Sequence, residues 1–165
     1  MDLNSFAAKA KKLSAENKKF LAQLKRKKLH QLDNIFHETH EEVFEKTDCL
    51  TCANCCKTTS PIFYQKDIER LSKHFRIRPS EFIEKYLRID EDNDFVLTTA
   101  PCPFLGDDNY CSVYEARPLA CREYPHTDRK NMFQVLDLAY KNTLVCPAVL
   151  QIVADVKKKL ENSGK

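Results

Sequence analysis

The stretch TDCLTCANCCK, Thr47 to Lys57, sets four thiols in eight residues, two of them adjacent. Four more cysteines follow, so the full set is Cys49, Cys52, Cys55, Cys56, Cys102, Cys111, Cys121 and Cys146. The C-x2-C spacing lets two thiolates from one tight turn converge on a single centre, and a third thiolate further on extends the same cup. Adjacent side chains usually diverge, so Cys55 and Cys56 are expected to serve different centres or roles. Eight thiols divide into two groups of four, with no partition fixed by spacing.

Other uses of so much sulfur fit less well. Disulfides suit small exported domains, and neighbouring Cα atoms about 3.8 Å apart fall short of the roughly 4.4–6.8 Å of a relaxed bridge. Scattered core cysteines are common, which suits Cys146 alone but not C-x2-C-x2-C-C. Metal chelation accounts for the whole pattern. C-x2-C-x2-C with the remote Cys-Pro pairs, Cys102-Pro103 and Cys146-Pro147, resembles the ferredoxin arrangement and favours an iron–sulfur cluster. Zinc accepts the same turns. Charge does not separate them: four thiolates leave a net −2 on Zn2+ and on a [4Fe-4S]2+ core alike. Arg117 and Arg122 bracket Cys121 and suit an anionic cluster, since a guanidinium offsets charge and donates to sulfur. His126 is a candidate to replace a thiolate or to bond to a ligand. Cys146, just before Pro147, is placed at a helix N-terminus whose field would favour its thiolate.

The elements that must position these groups are mostly helical. Residues 2–46 read as one long helix or two in line, from Leu3, Phe6, Ala10 and Leu13 onward to Val43 and Phe44 at three- and four-residue steps. Its first half reads as a projecting arm. Cys49 to Thr59 reads as a loop, Pro61 to Tyr64 as extended, and Lys66 to Phe75 as a helix. Pro79 and Pro147 each suit the first turn of a helix. Phe95 to Thr98 and Tyr110 to Tyr114 are candidate strands, with a hairpin turn at Gly106 to Asn109. Phe133 to Leu138 is ambiguous. Phe104, Tyr110, Tyr114, Tyr124 and Phe133 are expected to form a core around the metal. The fold class is mainly α, with irregular cysteine-bearing loops and at most a small β hairpin. Two segments follow: a basic N-terminal helical segment, 1–46, and a single metal-centred domain, 47–165.

Composition removes several activities. With 165 residues the chain can bury a core without covalent staples. Only two glycines occur, Gly106 and Gly164, so no P-loop or G-x-G-x-x-G exists, and G-x-S-x-G and H-E-x-x-H are absent too. His37 and His40 lie three apart but lack the E-x-x-H of di-iron bundles. The net charge of +3 is uneven. Nine basic side chains, from Lys9 to Lys28, stand against Asp2 and Glu16 in the first 30 residues. That basic head suits an acidic partner, RNA or other nucleic acid, or a membrane surface, or is a solvated helix face. No secretory signal and no membrane-spanning apolar run is visible, so the cytoplasm, where thiols stay reduced, is the expected location.

CLTCANCC, CPFL, CSVYEARPLACREYP and the late Cys146 together resemble the CxxCxxCC cysteine-cluster family (YkgJ type), whose members are described as chelating zinc or iron. The resemblance covers about Cys49 to Cys146. It implies chelation by all eight cysteines, with Arg117, Pro118 and Arg122 as motif residues. It also brings an enzymatic alternative, since some relatives are flagellin lysine N-methylases, although no site for S-adenosylmethionine is recognisable here. A zinc-stabilised interaction module is a third reading. The family often has glycine after its second cysteine. Here that residue is Ala53, strained if the position needs positive φ, with Asn54 better suited to relieve the turn.

Overall fold

The computed structural model describes residues 3–27 and 29–163. Asp2, Lys28 and Gly164, named above, lie outside the described residues. In chain order the elements are α1 (Leu3–Lys27), α2 (Leu32–Phe44), α3 (Cys49–Cys52), α4 (Asn54–Thr58), α5 (Gln65–Phe75), α6 (Pro79–Tyr86), β1 (Leu87–Ile89), β2 (Phe95–Leu97), α7 (Leu119–Glu123), α8 (Leu136–Thr143) and α9 (Pro147–Ser163). Short 3-10 turns cover Tyr114–Ala116 and Met132–Gln134. The fold is mainly helical with one small antiparallel pair, as the sequence pattern requires.

Two compact units share the chain. The first joins residues 1–48 to 125–165, and the second is residues 49–124. Within the first unit the C-terminal helix folds with the N-terminal ones. The reason is the apolar stripe of α9. Val149, Ile152, Val153 and Val156 are fully buried with Leu21 and Leu24 of α1, Leu32 and Phe36 of α2, and Leu136 of α8. Burying each such side chain contributes roughly 1.5–3 kcal/mol. The first half of the N-terminal region is therefore not a projecting arm. Phe6 and Ala10 bury against Leu150, and α1 packs on α8 while α2 packs on α9.

Within this unit α2 also anchors the segment before α8. Asp33 accepts from the backbone of Asn131 and Met132 at 2.7 and 2.8 Å. His37 Nε2 donates to the Arg129 carbonyl at 2.9 Å, and His40 Nδ1 lies 2.7 Å from Thr127 Oγ1. The two histidines thus serve the fold. The ambiguous run at 133–138 is a 3-10 turn leading into α8.

The second unit has its own apolar centre. Phe63, Ile68, Leu71, Phe82, Leu87, Leu97, Phe104 and Val113 are buried together. Phe75 stacks between Phe82, Tyr86 and Phe104. Helices α5 and α6 start where the sequence indicates, α6 with Pro79 in its first turn. Strand β2 also lies where expected, but its partner is β1, with Leu87 opposite Leu97 and Ile89 opposite Phe95. Tyr110 to Tyr114 is not a strand. Cys111 forms one isolated bridge with Leu105, closed by the Gly106–Asn109 turn, and the chain then enters the 3-10 turn.

Candidate metal centre

The Cys49–Thr59 stretch, read as a loop, carries short local helical order among the irregular cysteine-bearing segments. It forms two helical turns, α3 and α4, joined at Ala53. The Ala53 amide donates to the Cys49 carbonyl at 2.8 Å, and the Thr59 amide to the Cys55 carbonyl at 2.9 Å. Three-residue spacing puts Cys49 and Cys52 on one face of α3. Between the turns Ala53 adopts φ 47° and ψ 19°, the left-handed region that favours glycine. The strain falls on Ala53 itself, and Asn54 already belongs to α4. Ala53 is buried, so the methyl is held where it is least tolerated.

Hydrogen bonds then tie this stretch to the later cysteines. The Cys102 amide donates to the Cys56 carbonyl at 2.8 Å. Ser112 donates twice to the Phe104 carbonyl, from N at 2.8 Å and from Oγ at 3.1 Å, so the segments carrying Cys102 and Cys111 run side by side. Cys121 sits on α7, and its amide donates to the Pro118 carbonyl at 3.0 Å.

Helix α7 is placed by a buried carboxylate outside the motif. Asp67 Oδ1 accepts from Arg70 Nη2 at 2.6 Å and from the Leu119 amide at 3.1 Å, while Oδ2 accepts from the Tyr64 amide at 3.1 Å. Arg70 also donates to the carbonyls of Ala116 and Arg117, at 3.1 and 2.8 Å. Helix α5 thereby grips both sides of Pro118. Nothing in the cysteine motif marks Asp67 or Arg70. Their one local signal is an acid and an arginine three residues apart on a helix.

These links bring four thiols from separate segments into one half-buried cluster. Cys56, Cys102, Cys111 and Cys121 lie within electrostatic reach of one another. Burial pushes the Cys102 thiol up to about 11 and the Cys121 thiol up to about 12, and raises Cys111 as well. A charge on Cys56 adds to all three shifts. Other groups already favour the thiolates. The amides of Phe104 and Leu105 donate to the Cys102 sulfur, the amide of Val113 donates to Cys111, and the Arg117 charge lowers both Cys111 and Cys121. Cys56 is held down to about 7, first by a hydrogen bond from the neighbouring Cys55 thiol and then by Lys57. The adjacent pair is therefore side by side and not divergent.

The donor set fits a thiophilic metal, because amides and a guanidinium face sulfurs that burial otherwise keeps protonated. Among the described residues, no three His, Cys, Asp or Glu side chains stand in an arrangement closed on a metal ion.

The remaining named residues distribute as follows. Cys49, Cys52 and Cys55 lie on α3 and α4 beside Cys56, Cys49 exposed and the other two half-buried. Cys146 belongs to the first unit, packs against its core, and gives its carbonyl to the Leu150 amide at the start of α9. Arg117 stacks over the Tyr114 ring, 3.8 Å from its centroid, and donates to the Tyr114 carbonyl at 2.6 Å. Arg122 is exposed at the end of α7. His126 lies in the first unit with φ 64°. Of the aromatic residues expected in a core, Phe104 is buried, but Tyr110 and Tyr114 are 58% and 51% exposed, and Phe133 packs in the first unit.

No helix among the described residues is long and apolar enough to cross a membrane. Neither the curated proteins nor the solved structures give a match to this chain. Residues 48–146, more than half of the chain, match the family model described as "CxxCxxCC: Putative zinc- or iron-chelating domain", and the protein belongs to that family.

Proposed function

We propose that this protein chelates a transition metal, zinc or the iron of an iron–sulfur cluster, through Cys56, Cys102, Cys111 and Cys121. The observation that carries the reading is their mutual proximity in a half-buried cluster fed by amide donors and Arg117. Cys49, Cys52 and Cys55 supply further sulfur on the adjoining turns, and the Cys55 thiol donates a hydrogen bond to Cys56. Zinc would contribute a fixed tetrahedral junction between the segments, and an iron–sulfur cluster would add electron transfer. A reducing compartment such as the cytosol suits the reading, since the thiols must stay reduced to ligate.

Thiol ionisation sets how the affinity depends on pH. Cys102, Cys111 and Cys121 are protonated near neutrality, so a metal binding all three releases about three protons there. Cys56 adds a fourth below about 7. The test is elemental analysis and a visible spectrum on protein purified without oxygen. About one equivalent of zinc in a colourless protein, or iron with inorganic sulfide in a brown one, supports the reading and selects the metal. Full-length reduced protein that neither carries nor takes up either metal would overturn it.

A further inference from the structure

The exposed face of α1 carries a repeat that chelation leaves unused. Basic pairs recur every seven residues, at Lys11–Lys12, Lys18–Lys19 and Lys25–Arg26, and all six side chains are exposed. In an α-helix this interval returns each member close to one line, about 10.5 Å further on. The face therefore presents two parallel rows, Lys11, Lys18, Lys25 and Lys12, Lys19, Arg26, about 100° apart around the axis. Between them run the alanines Ala8, Ala15 and Ala22, at the same seven-residue interval, leaving a shallow trough.

Packing fixes which way the rows look. Phe6, Ala10, Leu21 and Leu24 are buried, so the opposite side of α1 is committed to its bundle. The acidic charges of the helix and its neighbour are engaged. Glu16, the one acid of α1, pairs with Lys157, and Asp137 of α8 pairs with Lys25. Lys18 is also steadied over the Tyr140 ring, 5.8 Å from its centroid.

A phosphodiester backbone matches this surface. It requires positive charge and close approach, and no apolar anchor. A protein partner would bury aromatic or large aliphatic side chains, and a membrane surface would take up an apolar helix face. The large apolar groups of α1 are spent on its own core, and the trough offers only alanine methyls. An α-helix with side chains is about 10–12 Å across, close to the roughly 12 Å of a major groove, so the rows are spaced to meet phosphates on both sides. We propose that α1 docks along the major groove of B-form duplex DNA, each basic row facing one phosphate backbone, without reading base sequence.

The test titrates reduced full-length protein with labelled duplexes of about 20 base pairs, one DNA and one RNA, over a range of salt concentrations. With Lys25 held by Asp137, five phosphate contacts give a slope of log K against log salt of about −4.5 for the DNA duplex, unchanged by base sequence. The variant Lys12→Gln, Lys19→Gln, Arg26→Gln removes one row. Its slope is expected to shrink by about 3, with affinity at 0.1 M salt down by about two orders of magnitude. Lys66→Gln, Lys73→Gln, Lys85→Gln removes the same charge from exposed positions of the second unit and is expected to change the slope by less than about 1. Circular dichroism checks that both variants are folded. Equal losses in the two variants, no binding of the DNA duplex at about 50 mM salt, or binding of the RNA duplex alone would overturn the proposal. So would anionic vesicles that bind in place of the duplexes and depend on the same row.

Discussion

Ala53 and Asp67 show how single residues set the geometry of the thiols. Ala53 holds the left-handed junction between α3 and α4 with a side chain that position disfavours by about 1–2 kcal/mol. Ala53→Gly relieves that strain but frees the unfolded chain, at about 0.4–1 kcal/mol. The net expectation is a stabilisation of about 0.5–1 kcal/mol, read by urea denaturation of the reduced protein; a loss of stability would show that the turn is relaxed. Asp67 is 2% exposed and joins α5 to the segment bearing Cys121. Asp67→Ala leaves the Leu119 amide and Arg70 without this acceptor and is expected to cost about 2–3 kcal/mol, discounted because Arg70 reaches solvent. It should also lower metal retention, and unchanged retention would mean that α7 is placed by other contacts. The demand at Ala53 was legible only through the family resemblance, because glycine is frequent at that position. The role of Asp67 was not, since its carboxylate serves an amide 52 residues away.

At the scale of elements, prolines and periodic stripes were reliable guides. Pro79 and Pro147 open α6 and α9, because their fixed φ suits a first turn and costs no needed donor. The strand reading of Tyr110 to Tyr114 failed for a physical reason. Cys111 and Val113 do face inward, but the run makes a single bridge, Cys111 to Leu105, before it enters the 3-10 turn at Tyr114–Ala116, so no ladder forms. Strand β1 went unseen because three residues straight after a helix carry too little pattern. Helix α2 carries a prediction of its own. Burial lowers the pKa of His40 from its ordinary value of 6.5, with His37 pushing the same way against Asp128 and Glu41. The unfolded chain then binds the proton first as pH falls, so stability drops below about pH 6.5. His40→Gln should lose less stability between pH 7.5 and 5.5 than the parent, measured by urea denaturation. An equal loss would assign the acid sensitivity to other groups.

For the whole molecule, the sequence divides chemistry from scaffold only partly. The apolar stripe of α9 is plain in Val149, Ile152, Val153 and Val156, but nothing local names α1 and α2 as what it buries against. Two units follow, one a helical bundle and one that holds seven of the eight cysteines. Metal removal is therefore expected to act unevenly. Hydrogen exchange should accelerate in residues 49–124 and stay near its starting rate in α1, α2 and α9, whose apolar core needs no ion. Uniform acceleration would show that chelation supports the entire chain. The central claim is that Cys56, Cys102, Cys111 and Cys121 are joint ligands, and metal content answers it most directly. Each Cys→Ser variant of these four, purified without oxygen, should lose the same equivalent of metal while remaining folded by circular dichroism. Full metal retention in any one of them would contradict the account.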